Sequence, residues 1–406
     1  MVLALDGGEP LRRTPFPAWP QHDDTERRAL IRAVDQGQWW RVGGSEVESF
    51  EREFGEFHGG TALAVTNGTH ALELALELLG IQPGDEVIVP AFTFISTSIA
   101  VQRTGGVPVP VDVLPDTYCL DPAQLEAART PRTRFVIPVH MAGHVADMAA
   151  IGTWAAEHGI EVLQDAAHAH GALWAGKRIG DHGTLAAFSF QNGKLMTAGE
   201  GGALLLPSPD LFPEAFARHS CGRPIGDVRY DHLTPSSNYR MAEFGGAVLR
   251  AQLARLGAQN ELREARWKTL AAALREIPGV VPQGREDRCE LNPHYMAMAA
   301  LDPEVHADVD RDLLVSALVA EGVPAFLNYP PVYRTAAFAP VFADGRPGPE
   351  ELAERNPVSE HLGSRGFWLH HRVLLGTDRD CTDVADALRK VLDGLRGRTE
   401  KSSPAR

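Results

Sequence analysis

Short apolar runs alternate with helical patterns along most of the chain. Runs of this kind that are apolar at most positions are typical of strands covered on both faces, and their alternation with helices predicts a mostly parallel sheet. One predicted helix carries Leu72, Leu76 and Leu79 at helical spacing and stops at Gly80. The predicted strands lie at 85–92, 106–113, 134–141, 160–166, 185–190 and 202–207.

The pattern changes after Asn238. Residues 242–277 predict one long helix that the Pro-Gly pair at 278 and 279 ends, and a strand at 294–300 and helices near 309–321 and 381–395 follow. The sequence therefore predicts an α/β protein with an N-terminal arm and a large, mostly parallel-sheet domain at 1–254, and a smaller α+β domain at 255–395. Residues 396–406 are predicted to be a flexible tail.

Composition narrows the classes of function. The 406 residues include 39 Lys and Arg against 53 Asp and Glu, and the net charge of −14 argues against binding to a nucleic-acid backbone. The chain has no apolar run long enough for a membrane span and no signal-peptide pattern, so we expect a cytoplasmic protein. Its 4 cysteines are far apart without a CxxC pair, which indicates neither a zinc site nor a disulfide framework.

Two residues whose side chains suit covalent and acid–base chemistry lie at or just after the ends of predicted strands. Lys194 lies in the Gly-rich segment 189–202, and Asp165 lies near the end of the strand predicted at 160–166. Each residue alone also has a simpler interpretation: Lys194 as a surface lysine, and Asp165 as a carboxylate that caps the backbone. Ligands collect at the carboxyl ends of parallel strands, however. A lysine that can form an imine and an aspartate that can hold a protonated pyridine nitrogen are two groups that pyridoxal phosphate requires.

Two further segments fit the same cofactor. Asn67-Gly68-Thr69 stands directly before the helix at His70, where backbone N–H groups and a hydroxyl can bind a phosphate. An ordinary N-cap is the alternative interpretation. Phe94 follows another strand and offers an aromatic face to a pyridine ring, with core packing as its alternative.

Taken in chain order, these motifs resemble the pyridoxal-phosphate-dependent aminotransferases of the DegT/DnrJ/EryC1/StrS family. The resemblance covers about residues 16–373 and also includes Ser189-Phe190 and the segment 238–241. It implies the PLP-dependent transferase fold type I, which is aspartate aminotransferase-like, and a homodimer with composite active sites.

The resemblance also implies roles for single residues. Lys194 would carry the cofactor covalently, Asp165 would contact its ring nitrogen, and Phe94 would stack on its ring. His168 stands where many relatives carry Gln, beside the ring hydroxyl. The phosphate would be held by Gly68, Thr69 and Ser189, and by Asn238 from the neighbouring subunit.

Longer segments resemble one branch of the family more narrowly, at 16–20, 37–41, 188–202, 218–223, 294–298 and 368–372. The enzymes of that branch remove water from an amino-dehydroshikimate ring to make an aromatic antibiotic precursor. We expect that the same site can also catalyse transamination. A carboxylated ring needs a cation or donors, for which Arg223 and His371 are the first candidates.

Two alternatives stay open. Segments 292–293 and 328–331 depart from that branch, which leaves open a sibling aminotransferase that acts on a keto-sugar nucleotide, a cyclitol or a dehydroshikimate-type ketone. The second alternative is a non-catalytic oligomeric partner, against which the presence of both Lys194 and Asp165 argues. A partner oxidoreductase is a further candidate for a binding partner.

Overall fold

The computed structural model describes residues 2–342 and 346–402. Short 3-10 turns connect some of the elements. The α-helices of the described residues are α1 (Asp24–Gln36), α2 (Glu46–His58), α3 (Gly68–Leu78), α4 (Ser96–Arg103), α5 (Leu125–Ala128), α6 (Met148–His158), α7 (Phe212–His219), α8 (Glu243–Arg275), α9 (Arg311–Ala320), α10 (Pro349–Arg355), α11 (Pro357–Arg365) and α12 (Asp378–Ser402). The strands are β1 (Thr61–Val65), β2 (Glu86–Pro90), β3 (Val107–Val111), β4 (Thr133–Val136), β5 (Glu161–Asp165), β6 (Leu173–Trp174), β7 (Lys177–Arg178), β8 (Leu185–Ser189), β9 (Gly202–Leu206), β10 (Val280–Pro282), β11 (Cys289–Leu291), β12 (Met296–Leu301), β13 (Ala325–Leu327) and β14 (Gly366–His370).

The central sheet has seven strands in the order β1-β9-β8-β5-β4-β2-β3. Strand β9 is antiparallel to both of its neighbours, and the other pairs are parallel. The predicted mostly parallel sheet is confirmed, and each of the six predicted strands is present. Strand β1 was not predicted, because its sequence, TALAV, is short and built half of small residues.

Both faces of this sheet are buried. Along β1, Ala62 and Ala64 pack into the core that contains α2, whereas Leu63 and Val65 pack into the opposite core, beneath α3. Successive side chains of a strand point to opposite faces, so the near-continuous apolar runs are the expected sequence of a sheet covered on both sides. This burial fixes the strands, and with them the residues at their carboxyl ends.

A second, four-stranded sheet has the order β10-β12-β14-β13 and is antiparallel throughout. It shares a core with α9, α12 and the C-terminal part of α8, where Trp267 and Leu270 are buried. The predicted strand at 294–300 is present as β12. The α/β class is confirmed.

Helix α8 runs without interruption across the boundary predicted at residue 254, so the proposed division into domains stays a prediction. Helix α12 continues to Ser402, inside the segment predicted as a tail, and residues 403–406 lie outside the described residues. In the part of the chain that the structure describes, no helix has both the length and the apolar composition needed to cross a membrane.

Candidate active site

A cavity of about 600 Å³ lies at the carboxyl ends of β2, β5 and β8. The N-terminus of α3 and loops that precede β12 and follow β13 complete its wall. Of the residues with a predicted cofactor role, all but Asn238 line it: Gly68, Thr69, Phe94, Asp165, His168, Ser189 and Lys194. The structure therefore brings together side chains that are up to 126 positions apart in the chain, counting from Gly68 to Lys194.

Asp165 ends strand β5 and is 7% exposed. Its Oδ2 accepts a hydrogen bond from the Thr97 hydroxyl at 2.8 Å, and its Oδ1 accepts one from the backbone N–H of Ala167 at 3.2 Å. Burial raises the pKa of the carboxyl, and these hydrogen bonds and the nearby Lys194 oppose the rise. Two donors orient the carboxylate and leave it lone pairs for a further donor in the cavity.

Lys194 lies in the loop between β8 and β9. Its backbone N–H donates to the carbonyl of Gln191 at 2.8 Å, and its Nζ atom lies 4.2 Å from the centre of the Tyr295 ring. Burial lowers the pKa of the amine to about 8, while the charge of Asp165 acts in the opposite direction. A substantial fraction of the amine is therefore neutral, and so nucleophilic, near physiological pH.

His168 and Tyr295 form a stacked pair beside Lys194, with ring centres 4.4 Å apart and planes at 30°. The Nδ1 atom of His168 accepts a hydrogen bond from the backbone N–H of Ala142 at 3.3 Å. Burial, and then the charge of Lys194, lower the pKa of His168 well below its ordinary value. His168 is thus neutral with its proton on Nε2, and it presents a donor rather than a charge.

The N-terminus of α3 is packed tightly against the end of β8. A Cβ atom on Gly68 would lie 2.7 Å from Cβ of Ser189, a distance that side chains do not adopt. The Thr69 hydroxyl donates to Oγ of Ser96 at 3.0 Å, which places a second hydroxyl next to the first turn of the helix. Free N–H groups and hydroxyls at a helix N-terminus are the donor set that a phosphate needs, so the residues present fit the phosphate of the predicted cofactor.

Among the residues that line the cavity without a role in the sequence-based prediction, three contact the predicted side chains directly: Thr97, Tyr295 and Tyr329. Thr97 holds Asp165, Tyr295 lies under Lys194, and Tyr329 contacts Phe94 with ring centres 5.6 Å apart and planes at 63°. All three lie inside or next to segments that the resemblance singled out. Their roles depend on which way their side chains point, and the sequence does not carry that information.

Three residues with predicted roles lie outside the cavity. Asn238 is exposed, and its Oδ1 accepts from the backbone N–H of Arg240 at 3.3 Å. Arg223 pairs with Asp227 at 2.9 Å and lines a separate cavity of about 1020 Å³. His371 is buried behind the lysine loop, where its Nε2 contacts the carbonyl oxygen of Gly193 at 3.2 Å.

Comparison with known proteins agrees with this geometry. The family model of the DegT/DnrJ/EryC1/StrS aminotransferase family matches residues 21–389. The chain is 54% identical to 3-amino-5-hydroxybenzoate synthase of Amycolatopsis mediterranei (strain S699), over 93% of this chain and 97% of that protein. It is 35% identical to L-glutamine:2-deoxy-scyllo-inosose aminotransferase of Streptomyces kanamyceticus, over 96% of both chains.

The fold comparison gives the same result. The crystal structure of 3-amino-5-hydroxybenzoic acid (AHBA) synthase superimposes with a TM-score of 0.89 at 53% identity, covering 95% of this chain and 100% of that one. The predicted type I transferase fold is thereby confirmed. The chain belongs to the DegT/DnrJ/EryC1/StrS aminotransferase family, whose members depend on pyridoxal 5′-phosphate.

Proposed function

We propose that this protein is a pyridoxal-phosphate-dependent enzyme of antibiotic-precursor biosynthesis that converts 5-amino-5-deoxy-3-dehydroshikimate into 3-amino-5-hydroxybenzoate, as the similar synthase does. The conversion removes one molecule of water and leaves an aromatic ring, so it needs neither an oxidant nor a reductant. The observation that carries the proposal is the burial of Lys194 and Asp165 in one cavity beside the N-terminus of α3.

The cofactor-binding roles follow from the positions of these side chains. Pyridoxal phosphate, when bound, supplies an aldehyde for covalent attachment and a pyridinium ring that accepts electrons when a neighbouring proton leaves. Lys194 would carry it through Nζ, Asp165 would hold the proton on its ring nitrogen, and Phe94 would cover its ring. His168 would donate from Nε2 toward its ring hydroxyl. Gly68, Thr69 and Ser189 would bind its phosphate.

Lys194 is also the proposed acid and base. With the substrate amine bound in its place, Lys194 would use its Nζ to take the proton from the ring carbon beside the nitrogen, and its lowered pKa increases the fraction of the basic form. The ammonium group formed in that step can return a proton to the departing hydroxyl, which leaves as water. Asp165 would stay ionised through these steps, because it would pair with the protonated ring nitrogen of the bound cofactor.

We also propose a homodimer in which Asn238 serves the partner's phosphate. The support is local: Asn238 is exposed on its own chain, and the segment before it carries the exposed apolar side chains Ile225, Val228, Tyr230 and Leu233. Exposed apolar side chains in one segment are typical of a surface that another protein covers. A cytoplasmic location and a partner oxidoreductase remain predictions from the sequence.

A second candidate is an aminotransferase that acts on a cyclitol ketone. It is supported by the 35% identity to the deoxy-scyllo-inosose aminotransferase and by Tyr329 in the cavity wall, inside the segment 328–331 that departs from the synthase branch. On this alternative the same Lys194 and Asp165 would move an amino group from a donor such as L-glutamine to the ketone.

Parallel assays separate the candidates. The protein with added cofactor is incubated with the amino-dehydroshikimate and no amino donor, and separately with 2-deoxy-scyllo-inosose and L-glutamine, and products are identified by mass spectrometry. The aromatic product in the first assay, absent with Lys194→Ala, supports the synthase. An aminated cyclitol in the second assay, without aromatic product in the first, would contradict the synthase and support the aminotransferase. Neither product, together with no cofactor binding, would favour the non-catalytic partner.

A further inference from the structure

The loop that carries Lys194 is held from behind by two side chains that are distant in the sequence. The indole Nε1–H of Trp19 donates to the carbonyl of Asn192 at 3.0 Å, and Nε2 of His371 contacts the carbonyl of Gly193 at 3.2 Å. The two rings also touch each other edge to face, with centres 4.4 Å apart and planes at 84°. We call Trp19 and His371 the loop clamp.

The contact with Gly193 defines the tautomer of His371. A carbonyl oxygen can only accept, so the hydrogen bond requires the ring proton on Nε2. The other ring nitrogen, Nδ1, is buried and has no hydrogen-bond partner in the described structure. His371 is 1% exposed, and burial lowers its pKa well below the ordinary value. The clamp therefore acts as a neutral donor with fixed orientation.

Burial is the main cause of the lowered pKa of His371, and the charge of Arg263 adds to it. Arg263 is fully buried, and its guanidinium donates to the side-chain oxygens of Asn260 at 2.9 Å and Gln259 at 3.4 Å. Within the described residues no carboxylate pairs with it. The other charged or titratable groups that act on His371 are His370 and Arg372. A second proton on His371 would face two cations at low dielectric, which is unfavourable.

Without the clamp, the loop is held by its own residues. The remaining hydrogen bonds of positions 191–194 in the described structure are local: Gly193 N–H to Oε1 of Gln191 at 2.7 Å, Lys194 N–H to the Gln191 carbonyl at 2.8 Å, and Gln191 N–H to Oγ of Ser189 at 3.4 Å. The clamp engages the two consecutive carbonyls directly before Lys194, so it restricts the backbone that sets the direction of the lysine side chain.

We propose that His371 and Trp19 are positioning residues for Lys194: they fix the backbone before it so that Nζ stays in the cavity, over Tyr295 and next to Asp165. This inference rests on the proposed function, in which Lys194 carries the cofactor. It assigns His371 a role behind the lysine rather than the contact with substrate predicted from the sequence.

The consequence is chemical as well as structural. An amine held inside the protein is desolvated, and desolvation is the main cause of the lowered pKa of Lys194. Charged or titratable neighbours of the amine in the cavity include Asp165, His168 and Tyr295, with His170 behind them. If the loop loosens, the amine reaches water and its pKa rises toward the ordinary lysine value.

The test measures that pKa in the cofactor-free protein. Lys194 is labelled with an acylating reagent over a range of pH, and the labelled peptide is quantified by mass spectrometry. His371→Leu removes the donor, His371→Gln keeps an N–H group near the position of Nε2, and Trp19→Phe removes the indole N–H but keeps a ring. His306 supplies the control, since it is buried and its Nε2 contacts the carbonyl of Pro278 at 2.8 Å, away from the cavity.

The expected result is a graded loss. His371→Leu should lower the neutral fraction of Lys194 at neutral pH about tenfold, and Trp19→Phe about threefold, as the loss of one hydrogen bond each allows. His371→Gln should restore the labelling profile of the natural protein, and His306→Leu should leave it unchanged. In the cofactor-loaded enzyme, kcat should fall with KM nearly constant.

The outcomes separate the two claims. A natural protein whose Lys194 labels like an ordinary lysine and binds no cofactor would overturn the proposed function. A natural protein with a lowered pKa and bound cofactor, but with unchanged profiles in both His371→Leu and Trp19→Phe, would overturn the clamp. If His371→Leu does not fold, the other two variants decide. A raised pKa of Lys194 in Trp19→Phe, together with an unchanged pKa in His371→Gln, supports the clamp. Any other pattern contradicts it.

Discussion

Asp165 and Lys194 shift each other's pKa in the direction opposite to burial. Desolvation raises the pKa of the carboxyl and lowers that of the amine, and the attraction between the two charges opposes both changes. For the amine, burial outweighs the attraction, because its pKa falls to about 8. The cavity therefore holds a lysine that can act as a nucleophile next to an aspartate that can act as a counter-ion.

The rate of covalent cofactor attachment should follow the neutral fraction of Lys194. That fraction grows as pH rises through the pKa, so we expect the absorbance band at roughly 400–430 nm to form faster with rising pH and to level off above about 8. Asp165→Asn removes the charge that favours the ammonium form, so the midpoint should move to lower pH. Asp181→Asn, in an ion pair with Arg178, is the control. A midpoint that moves upward in Asp165→Asn would contradict this electrostatic account.

Thr97 should matter through Asp165. Thr97→Val removes the hydroxyl that donates to Oδ2, and with it one interaction that keeps the pKa of the carboxyl down. We expect kcat to fall about tenfold, in line with one hydrogen bond to a charged group, and Thr97→Ser to recover most of it. Thr104→Val, at the end of the same helix, removes a hydroxyl that donates to the carbonyl of Ala100 and should have little effect. Equal losses in both valine variants would assign the effect to the helix instead.

Gly68→Ala should weaken cofactor binding. The added Cβ would stand 2.7 Å from Cβ of Ser189 and push the N-terminus of α3 away from the end of β8. We expect the Kd for pyridoxal phosphate, measured by absorbance titration, to rise at least about tenfold, the size of a lost charge-assisted hydrogen bond. Gly152→Ala is the matched control, because its Cβ would meet no atom within 4 Å. An unchanged Kd in Gly68→Ala would show that the phosphate binds elsewhere.

Buried histidines make the protein less stable in mild acid. Burial lowers the pKa of His58, His140 and His219 to about 3 each, so the unfolded chain binds more protons than the folded one between that value and the ordinary histidine pKa. The free energy of unfolding therefore has its full value above the ordinary histidine pKa and falls as the pH decreases below it. Each residue should contribute on the order of 2 kcal/mol to the loss between neutral pH and pH ~5.

Urea unfolding at a series of pH values measures this loss. His219→Gln should reduce the slope of the unfolding free energy against pH, because one proton fewer is taken up on unfolding when this group is removed. A free energy of unfolding that stays constant from neutral pH to mild acid would contradict the assignment of these three histidines as neutral.

The sequence places the residues proposed to bind the cofactor at one edge of the sheet for a physical reason. Asp165 ends a strand of the central sheet, Lys194 and Phe94 follow other strands of it, and parallel strands bring their carboxyl ends to one edge. Gly68 and Thr69 stand at the start of a helix, where the backbone itself supplies the anion site. Local pattern and topology predicted that these positions lie together, and the resemblance to the family supplied their proposed roles.

Other parts of the site depend on tertiary packing. The ring of Tyr295 reaches Lys194 because the backbone N–H of Tyr295 donates a hydrogen bond to the carbonyl of Ala142, which is far away in the chain. This bond fixes the loop before β12. His371 sits behind the lysine loop because the second sheet docks there. Arg223, chosen from its residue type, pairs with Asp227 four positions later in the same chain, and its contact with substrate stays a prediction. No periodicity encodes such contacts.

The central claim is that Lys194 is the residue that bears the cofactor. Borohydride reduction of the protein incubated with pyridoxal phosphate makes the linkage permanent, and peptide mapping by mass spectrometry locates it. We expect one phosphopyridoxyl group per chain, on the peptide that contains Lys194, and none on that peptide in Lys194→Ala. Label on another residue such as Lys177 or Lys268, or no label at all, would contradict it.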